Sequence, residues 1–335
     1  MSSQLDYAVV VGVNHYPWFR PLRGAIEDAL RVREWLVDKE RGGAVTQCEL
    51  ILSSKEPPPE KPLNADIDTA IQRIIDAARV DGAAERRFYF YFGGHGFANM
   101  HSDVALCMVR WSKVYRGCAL SSSKYTSALV NYGLFDEIVF WLDCCRTSEI
   151  GGEGQGPWNA PPSASPDARR SRSFLAHATS FLNPAGESAV EGDASVVRGH
   201  FTQALLAGLW GGAVKDGRGV SPAGLKEYLQ KETPLIAQEA KRSGQIPEVI
   251  DGLNGSRLFG TAGIESEVEI VFQKERSGEV VLEDSSLNVL KRGLAATGPW
   301  RVSLRRDRYT LRELSTGVQH TFSFRPTREG QRVRF

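Results

Sequence analysis

Two short runs carry residues that could do chemistry together. Glu137 to Arg146 reads E-I-V-F-W-L-D-C-C-R, an apolar run that ends in a carboxylate and then two thiols. Phe88 to Gly96 reads F-Y-F-Y-F-G-G-H-G, an apolar run that ends in a histidine between glycines. His95 lies fifty positions before Cys145. Both runs have the composition of buried strands. In an open α/β sheet the C-terminal ends of the strands are where ligands and reacting groups collect. A thiol and an imidazole delivered to that edge suggest a cysteine nucleophile with a histidine partner. A lone cysteine at a strand end is ordinarily packed and inert, and a lone histidine is ordinarily structural. Both at matching strand ends argue for a site.

The elements needed to hold them there are legible. Tyr7 to Val13 is apolar and rich in valine, as a central strand would be. Ile26 to Val37 has the spacing of an amphipathic helix. A short strand is expected at Glu49–Leu52, a loop over the prolines of Lys55–Pro62, and a helix over Ala65–Val80. Another strand is expected at Val104–Val109 and a helix at Ser121–Tyr132. After the cysteine strand, Gly151–Arg172 is dominated by Gly, Pro and Ser, so stable packing is not expected there; long loops of this kind are functional or disordered. A strand at Ser173–Ala178, helices at His200–Trp210 and Pro222–Ala240, and a last strand at Ile246–Ile250 complete an alternating α/β pattern. From about Glu265 the pattern becomes short β-type runs separated by turns, at Val268–Phe272, Glu279–Leu282, Trp300–Leu304, Tyr309–Leu314 and His320–Phe324. The expected division is a domain over 1–262, with a flexible loop at about 150–172, and a small antiparallel β domain over 263–335. Trp300, Tyr309 and Phe322 are expected in the core of the latter.

Composition narrows the classes. The net charge is +1, so no global field attracts nucleic acid or an anionic membrane. No apolar run approaches a bilayer-spanning length, and the opening M-S-S-Q-L-D-Y lacks the basic and apolar regions of a secretory leader. The five cysteines are odd in number and lack framework spacing, which fits a reducing cytoplasm. No C-x-x-C or H-x-x-x-H pair offers a metal site. Glu187, Glu191 and Asp193 lack the dense oxygen-ligand spacing of a calcium loop. No cofactor or metal is expected.

Four segments together resemble the caspase and metacaspase family of cysteine peptidases, over roughly residues 5 to 262. They are the H-G element at His95–Gly96, the D-x-C element at Asp143–Cys145, the opening Val11 to Ala29 (V-G-V-N-H-Y-P-W-F-R-P-L-R-G-A-I-E-D-A), and the stretch from Ala178 through Gly199-His200-Phe201-Thr202. A histidine about fifty residues before the cysteine is a known caspase spacing. The caspase pentapeptide Q-A-C-x-G is absent, and D-x-C is nearer the metacaspase and bacterial pattern. The resemblance implies a caspase-like α/β/α sandwich with a mostly parallel central sheet. It also implies Cys145 as nucleophile and His95 as the acid for the departing amine. The backbone N–H groups of Gly96 and Cys145 would form the oxyanion hole. No third triad member is evident, so a dyad is expected. Adjacent strand side chains face opposite ways, and the D-x-C register selects Cys145 over Cys144, leaving Cys144 as a packed thiol.

In metacaspases the acids matching Asp28 and Asp143 line the pocket for the residue before the scissile bond. Two carboxylates there favour cleavage after Arg, or Lys; the bland reading is that each acid pairs locally. The family's serine before G-H-G is Gly93 here, which removes one polar contact. Glu187 aligns only weakly as a further acid. Caspases are matured by cuts between the cysteine strand and the next strand, where this chain carries Arg169, Arg170 and Arg172. Cleavage there, by the enzyme itself or by an upstream protease, is the expected activation; a solvated basic linker is the alternative. Bacterial relatives of this pattern often belong to defence or regulated-death systems. The expected partners are protein or peptide substrates with a basic residue before the scissile bond, with no nucleic acid and no membrane. Two competing readings remain: a catalytically inactive scaffold recruiting partners through its C-terminal β domain, and a separase-like or gingipain-like thiol hydrolase. The V-G-V-N…D-A opening favours the caspase side.

Overall fold

The computed structural model describes the chain except residues 1–3, 41, 55–59, 101–102, 149–152, 191–192, 216, 243, 254, 256, 262–264 and 327–330. In chain order, β1 (Gln4–Gly12), α1 (Ala25–Val37), β2 (Gln47–Leu52), α2 (Asn64–Val80) and β3 (Glu85–Gly93) build the first half of a sheet. Three short strands follow, β4 (Gly96–Met100), β5 (Asp103–Cys107) and β6 (Ala119–Ser121), then α3 (Ser122–Tyr132), β7 (Glu137–Asp143) and β8 (Thr147–Ser148). Next come β9 (Arg172–His177), the hairpin β10 (Glu187–Val190) and β11 (Asp193–Gly199), α4 (His200–Ala207), α5 (Pro222–Glu239) and β12 (Glu248–Asp251). The rest is all β: β13 (Ser266–Val271), β14 (Glu279–Glu283), β15 (Val289–Leu294), β16 (Trp300–Leu304), β17 (Asp307–Glu313), β18 (Gln319–Phe324) and β19 (Gln331–Arg334).

The main sheet has the order β12-β9-β7-β3-β1-β2. All neighbours are parallel except β12, which closes the edge antiparallel to β9. Strand side chains alternate between faces, and the sequence uses that period on both sides. Phe88, Phe90 and Phe92 of β3, with Ile138, Phe140 and Leu142 of β7, enter one core with Ile67, Ile71 and Ile74 of α2 and Tyr125 and Leu129 of α3. Tyr89 and Tyr91, with Val139 and Trp141, enter the other, against α1, α4 and α5. Burial on both faces explains why these strands read as unbroken apolar runs. The result is the α/β/α layering the resemblance implied.

Helix ends follow from capping groups. Ser121 Oγ accepts from Lys124 N (3.1 Å) at the start of α3, and Ser221 Oγ from Gly224 N (3.1 Å) at the start of α5. The helix expected to reach Trp210 stops at Ala207 and continues as a π turn over Gly208–Gly212.

Other departures are larger. The Val104–Val109 run is not in the main sheet: β5 belongs to a satellite sheet of order β6-β5-β4-β8. The hairpin β10–β11 was not foreseen, because Glu, Asp, Gly and Ser break its apolar alternation. Residues 153–172, expected to be flexible, are mostly exposed but tethered at several points: Gln155 exchanges backbone hydrogen bonds with Ala119 and Ser121, and a 3-10 turn at Pro166–Arg170 is capped by Ser165. The glycines there serve close approach; a Cβ on Gly154 would strike the Ser121 backbone. Lys55–Pro59 and Gly151–Gly152, parts of two expected loops, lie outside the described residues, as do Glu191 and the expected boundary at 262–263.

The C-terminal strands form two sheets, β16-β13-β19 and β15-β14-β17-β18, around a separate core that includes Trp300, Tyr309 and Phe322. β15 and β19 were not foreseen.

Candidate active site

Strand order reverses at β1, since β2 lies on one side of it and β3, β7 and β9 on the other. The crevice beyond the C-terminal ends at such a point is a natural site. His95 and Cys145 follow β3 and β7, next to that crevice, and are placed by two ladders. Below them, β3 and β7 pair in parallel up to the rung Gly93↔Asp143. Above them, β4 and β8 pair in parallel from the rung Phe97↔Thr147. Each residue sits midway between the two rungs, so the chain cannot separate them without breaking one ladder.

The histidine is tightly fixed. Its backbone N–H donates to Tyr16 Oη (2.9 Å), and its ring lies 4.8 Å from both the Tyr16 and Phe19 rings. The Arg20 carbonyl faces Nε2 at 2.9 Å. A carbonyl only accepts, so Nε2 carries the proton in the neutral ring and Nδ1 is the basic nitrogen. Burial lowers the His95 pKa, partly offset by the Arg20 carbonyl and the charge of Glu187. The loop bearing Arg20 is held by Asn14, which accepts from Ile26 N (3.1 Å) and donates to the Arg23 carbonyl (3.2 Å). That gives the asparagine of the V-G-V-N opening a physical role. Sequence reasoning found no third group; the Arg20 carbonyl orients the ring, and a backbone atom leaves no side-chain signal.

Cys145 is half-buried, and its thiol is turned to the segment before β10. Ala185 N donates to Sγ (3.3 Å), and Sγ lies 3.6 Å from the Ala185 carbonyl. Among the described residues the thiol's hydrogen-bond partner is this backbone, not His95. Burial raises the thiol pKa, and the Asp143 charge adds to it, against the Ala185 N–H. Cys144 is buried in the α2/α3-side core, with its pKa pushed well up by desolvation. Gly96 is pressed against both cysteines: a Cβ there would lie 2.7 Å from Cys144 Sγ and 3.0 Å from the Cys145 carbonyl.

Asp28 and Asp143 meet beside this pair, and each already has internal partners. Asp143 accepts from Thr202 N (3.1 Å) and Oγ1 (2.6 Å). Asp28 accepts from Gly199 N (2.6 Å) and pairs with the Arg198 guanidinium. Gly199 lies between the two acids; a Cβ there would collide with Asp143 Oδ2 and sit 3.1 Å from Asp28 Oδ2. Burial pushes Asp28 up to about 6, against the pull of Arg198. Burial and the neighbouring Asp28 push Asp143 up to about 7. The local pairing weighed against a cation pocket is therefore present in the resting structure. Glu187, weakly aligned in the sequence, accepts from Arg23 N (3.2 Å) and Gly24 N (2.9 Å) before α1, and its charge acts on His95, Asp28 and Asp143.

The arginines of the linker lie elsewhere. Arg172 opens β9 on the rung Glu137↔Arg172, and its guanidinium reaches Glu137 (3.5 Å) and the Leu253 carbonyl (3.2 Å). Arg169 and Arg170 are exposed on the 3-10 turn, Arg170 beside Asp167 (3.5 Å). The run of β7 from that rung to Asp143 spans roughly 20 Å at about 3.3 Å per residue, so these arginines sit at the opposite edge of the sheet from Cys145. A polar cavity of about 620 Å³ lies at that far edge, lined in part by Arg170, Arg172 and Glu137. Among the described residues no group of three or more His, Cys, Asp or Glu could hold a metal ion. No helix among them is long and apolar enough to cross a membrane, and the five cysteines are free thiols.

No protein-family model matches the chain. A probable protease from a Desulfuromonadales bacterium is 32% identical over 222 residues, 62% of this chain and 26% of that protein. The chain thus spans about a quarter of the length of that curated relative. A solved structure of pro-sf-caspase-1 aligns with 75% of this chain and 93% of its own, at 12% identity and a TM-score of 0.41. The Bacillus anthracis TIE protein aligns with 28% of this chain and 21% of its own, at 14% identity and a TM-score of 0.18. By sequence the chain resembles a probable protease over part of that protein's length.

Proposed function

We propose that this chain is a caspase-like cysteine endopeptidase that cleaves proteins after basic residues, arginine before lysine. The observation that carries the reading is the placement of His95 and Cys145 midway between two parallel ladders, beside the sheet's switch point. His95 Nδ1 takes the thiol proton, and Cys145 Sγ attacks the scissile carbonyl. The N–H groups of Gly96 and Cys145 receive the oxyanion. His95 then returns the proton to the departing amine, and water releases the acyl group from sulfur. Desolvation raises the thiol and lowers the imidazole, so the resting pair is neutral and the proton moves when substrate arrives. Asp28 and Asp143 supply the negative pocket for the basic side chain, with Glu187 at its rim. Activation follows a cut after Arg169, Arg170 or Arg172, and the far-edge position of those residues favours a second molecule making it.

The competing reading, an inactive scaffold recruiting partners through the C-terminal β strands, draws on one observation: the thiol is engaged by Ala185 and not by His95. Fluorogenic peptides ending in Arg, Lys or Asp separate the two. Turnover of the Arg peptide that vanishes in Cys145→Ala is the expected result. Cleavage after Asp would overturn the pocket assignment, and no turnover by a chain cut at the linker would favour the scaffold.

A further inference from the structure

We infer that Arg198 is a built-in occupant of the acidic pocket, and that a substrate's basic side chain enters by displacing it. The inference rests on the peptidase reading above and concerns what sets its specificity. Both oxygens of Asp28 are taken from one short stretch of chain, Oδ1 by the Arg198 guanidinium and Oδ2 by Gly199 N at 2.6 Å. Asp143 Oδ2 is taken twice by Thr202. A guanidinium against a carboxylate is the pairing that a substrate arginine would make, and Arg198 makes it in the resting protein. With that cation in place, the charge of Asp28 is matched and an incoming cation finds little attraction.

The occupant can leave without unfolding the chain. The Arg198 side chain keeps 14% of its exposure while Asp28 keeps 3%, so the arginine is the partner with the greater access to water. The same segment reaches the thiol: β10 pairs with β11 through Glu187↔Gly199 and Ser188↔Arg198, and Ala185, two residues before β10, donates to Cys145 Sγ. One stretch therefore places a backbone N–H on the nucleophile and a cation on the acid.

The test uses the full chain carrying Cys145→Ala, so that ligand binds without turnover. An acetylated peptide ending in arginine is compared by calorimetry with its twin ending in citrulline, which has the same shape and no charge. Adding Arg198→Ala is expected to tighten the arginine peptide about tenfold or more, tighten the citrulline peptide by clearly less, and leave Arg198→Lys at the parent's affinity. Removing Arg198 leaves Asp28 buried without its cation, so Arg198→Gln, which keeps a donor to Asp28, carries the same comparison if the alanine variant fails to fold. An arginine peptide that binds no tighter in either variant would make Arg198 a permanent structural counter-ion and overturn the inference. With Cys145 restored, a variant that binds the arginine peptide but cleaves nothing would sink the peptidase reading and leave the pocket inference standing. Cleavage unaffected by the loss of Arg198 would do the reverse.

Discussion

The two adjacent thiols have opposite surroundings, and that difference is testable residue by residue. Cys144 is fully packed, whereas Cys145 is half-buried beside Ala185. Alkylation by iodoacetamide, mapped by mass spectrometry, is expected at Cys145 and not at Cys144 in the folded chain. Because burial raises the Cys145 pKa, its rate should climb about tenfold per pH unit between about pH 7 and 9, following the thiolate fraction. A plateau at lower pH would mean that His95 already holds the sulfur as a thiolate. The acids behave differently again. Asp143 and Asp28 ionise at about 7 and about 6 in the folded protein, against 3.8 for the free side chain. A carboxyl whose pKa is raised by folding binds its proton more tightly when folded, so stability is greatest below about pH 4 for these groups and falls as the pH rises through 6 and 7. Each can contribute a slope of up to about 1.4 kcal/mol per pH unit. Asp143→Asn, whose amide oxygen can still accept from Thr202, should gain Tm over the parent as the pH goes from 5 to 8. An unchanged difference across that range would show that Asp143 is ionised throughout.

Among the elements, the strands that deliver His95 and Cys145 were the most legible, because burial on both faces writes itself as unbroken apolar runs. The positions of His95, Cys145, Asp28 and Asp143 at one end of the sheet were readable, since each sits at the end of such a run or in the first turn of a periodic helix. The hairpin β10–β11 was not, because it pairs only with itself, has no continuous apolar face, and is written in Glu, Ser, Asp and Gly. Its residues nevertheless touch both sides of the site, through Glu187 and Arg198, and it could only be found by folding the chain. The linker's Gly and Pro signal a loop, and two of the glycines there serve close approach to β6 and α3. The linker's placement bears on the proposed maturation. All three arginines have exposed side chains, but the Arg172 backbone is held in the β9 ladder whereas Arg169 and Arg170 lie on a short 3-10 turn, so the cut is expected after one of the latter two. Their position at the opposite end of β7 from Cys145 predicts intermolecular cleavage. Mixing wild type with the Cys145→Ala chain should cut the inactive chain, with an initial rate that rises as the square of concentration for wild type alone. A first-order rate independent of dilution would mean that the linker reaches its own active site, and the far-edge placement would not describe the state that is cut.

At the scale of the whole molecule, the C-terminal strands have their own core but are not merely tethered. Glu232 of α5 is almost fully buried and takes two arginines from them: Arg306, and Arg325 at 2.6 Å. Arg325 also reaches Glu239 (2.9 Å), and the Arg306 guanidinium lies 4.8 Å from the Tyr228 ring centroid. A buried carboxylate with two cations is costly to strip of its partners and equally costly to remove, because the arginines were placed to meet it. Arg306 keeps about a third of its exposure, so the loss is less than the roughly 3–5 kcal/mol of a fully buried pair and nearer about 2 kcal/mol. Glu232→Ala should therefore lower the urea midpoint and split unfolding into two steps, the β strands separating from α5 first, as seen by hydrogen exchange in β16 to β18. α5 also packs against the core that includes Tyr91, Trp141 and Phe201, so the latch connects the β strands to the layer beneath Thr202 and Asp143. If the β strands recruit a partner, Glu232→Ala should weaken the influence of that partner on Cys145 alkylation while sparing its binding. A single unshifted unfolding transition in Glu232→Ala would show that the two cores are joined by something other than this carboxylate.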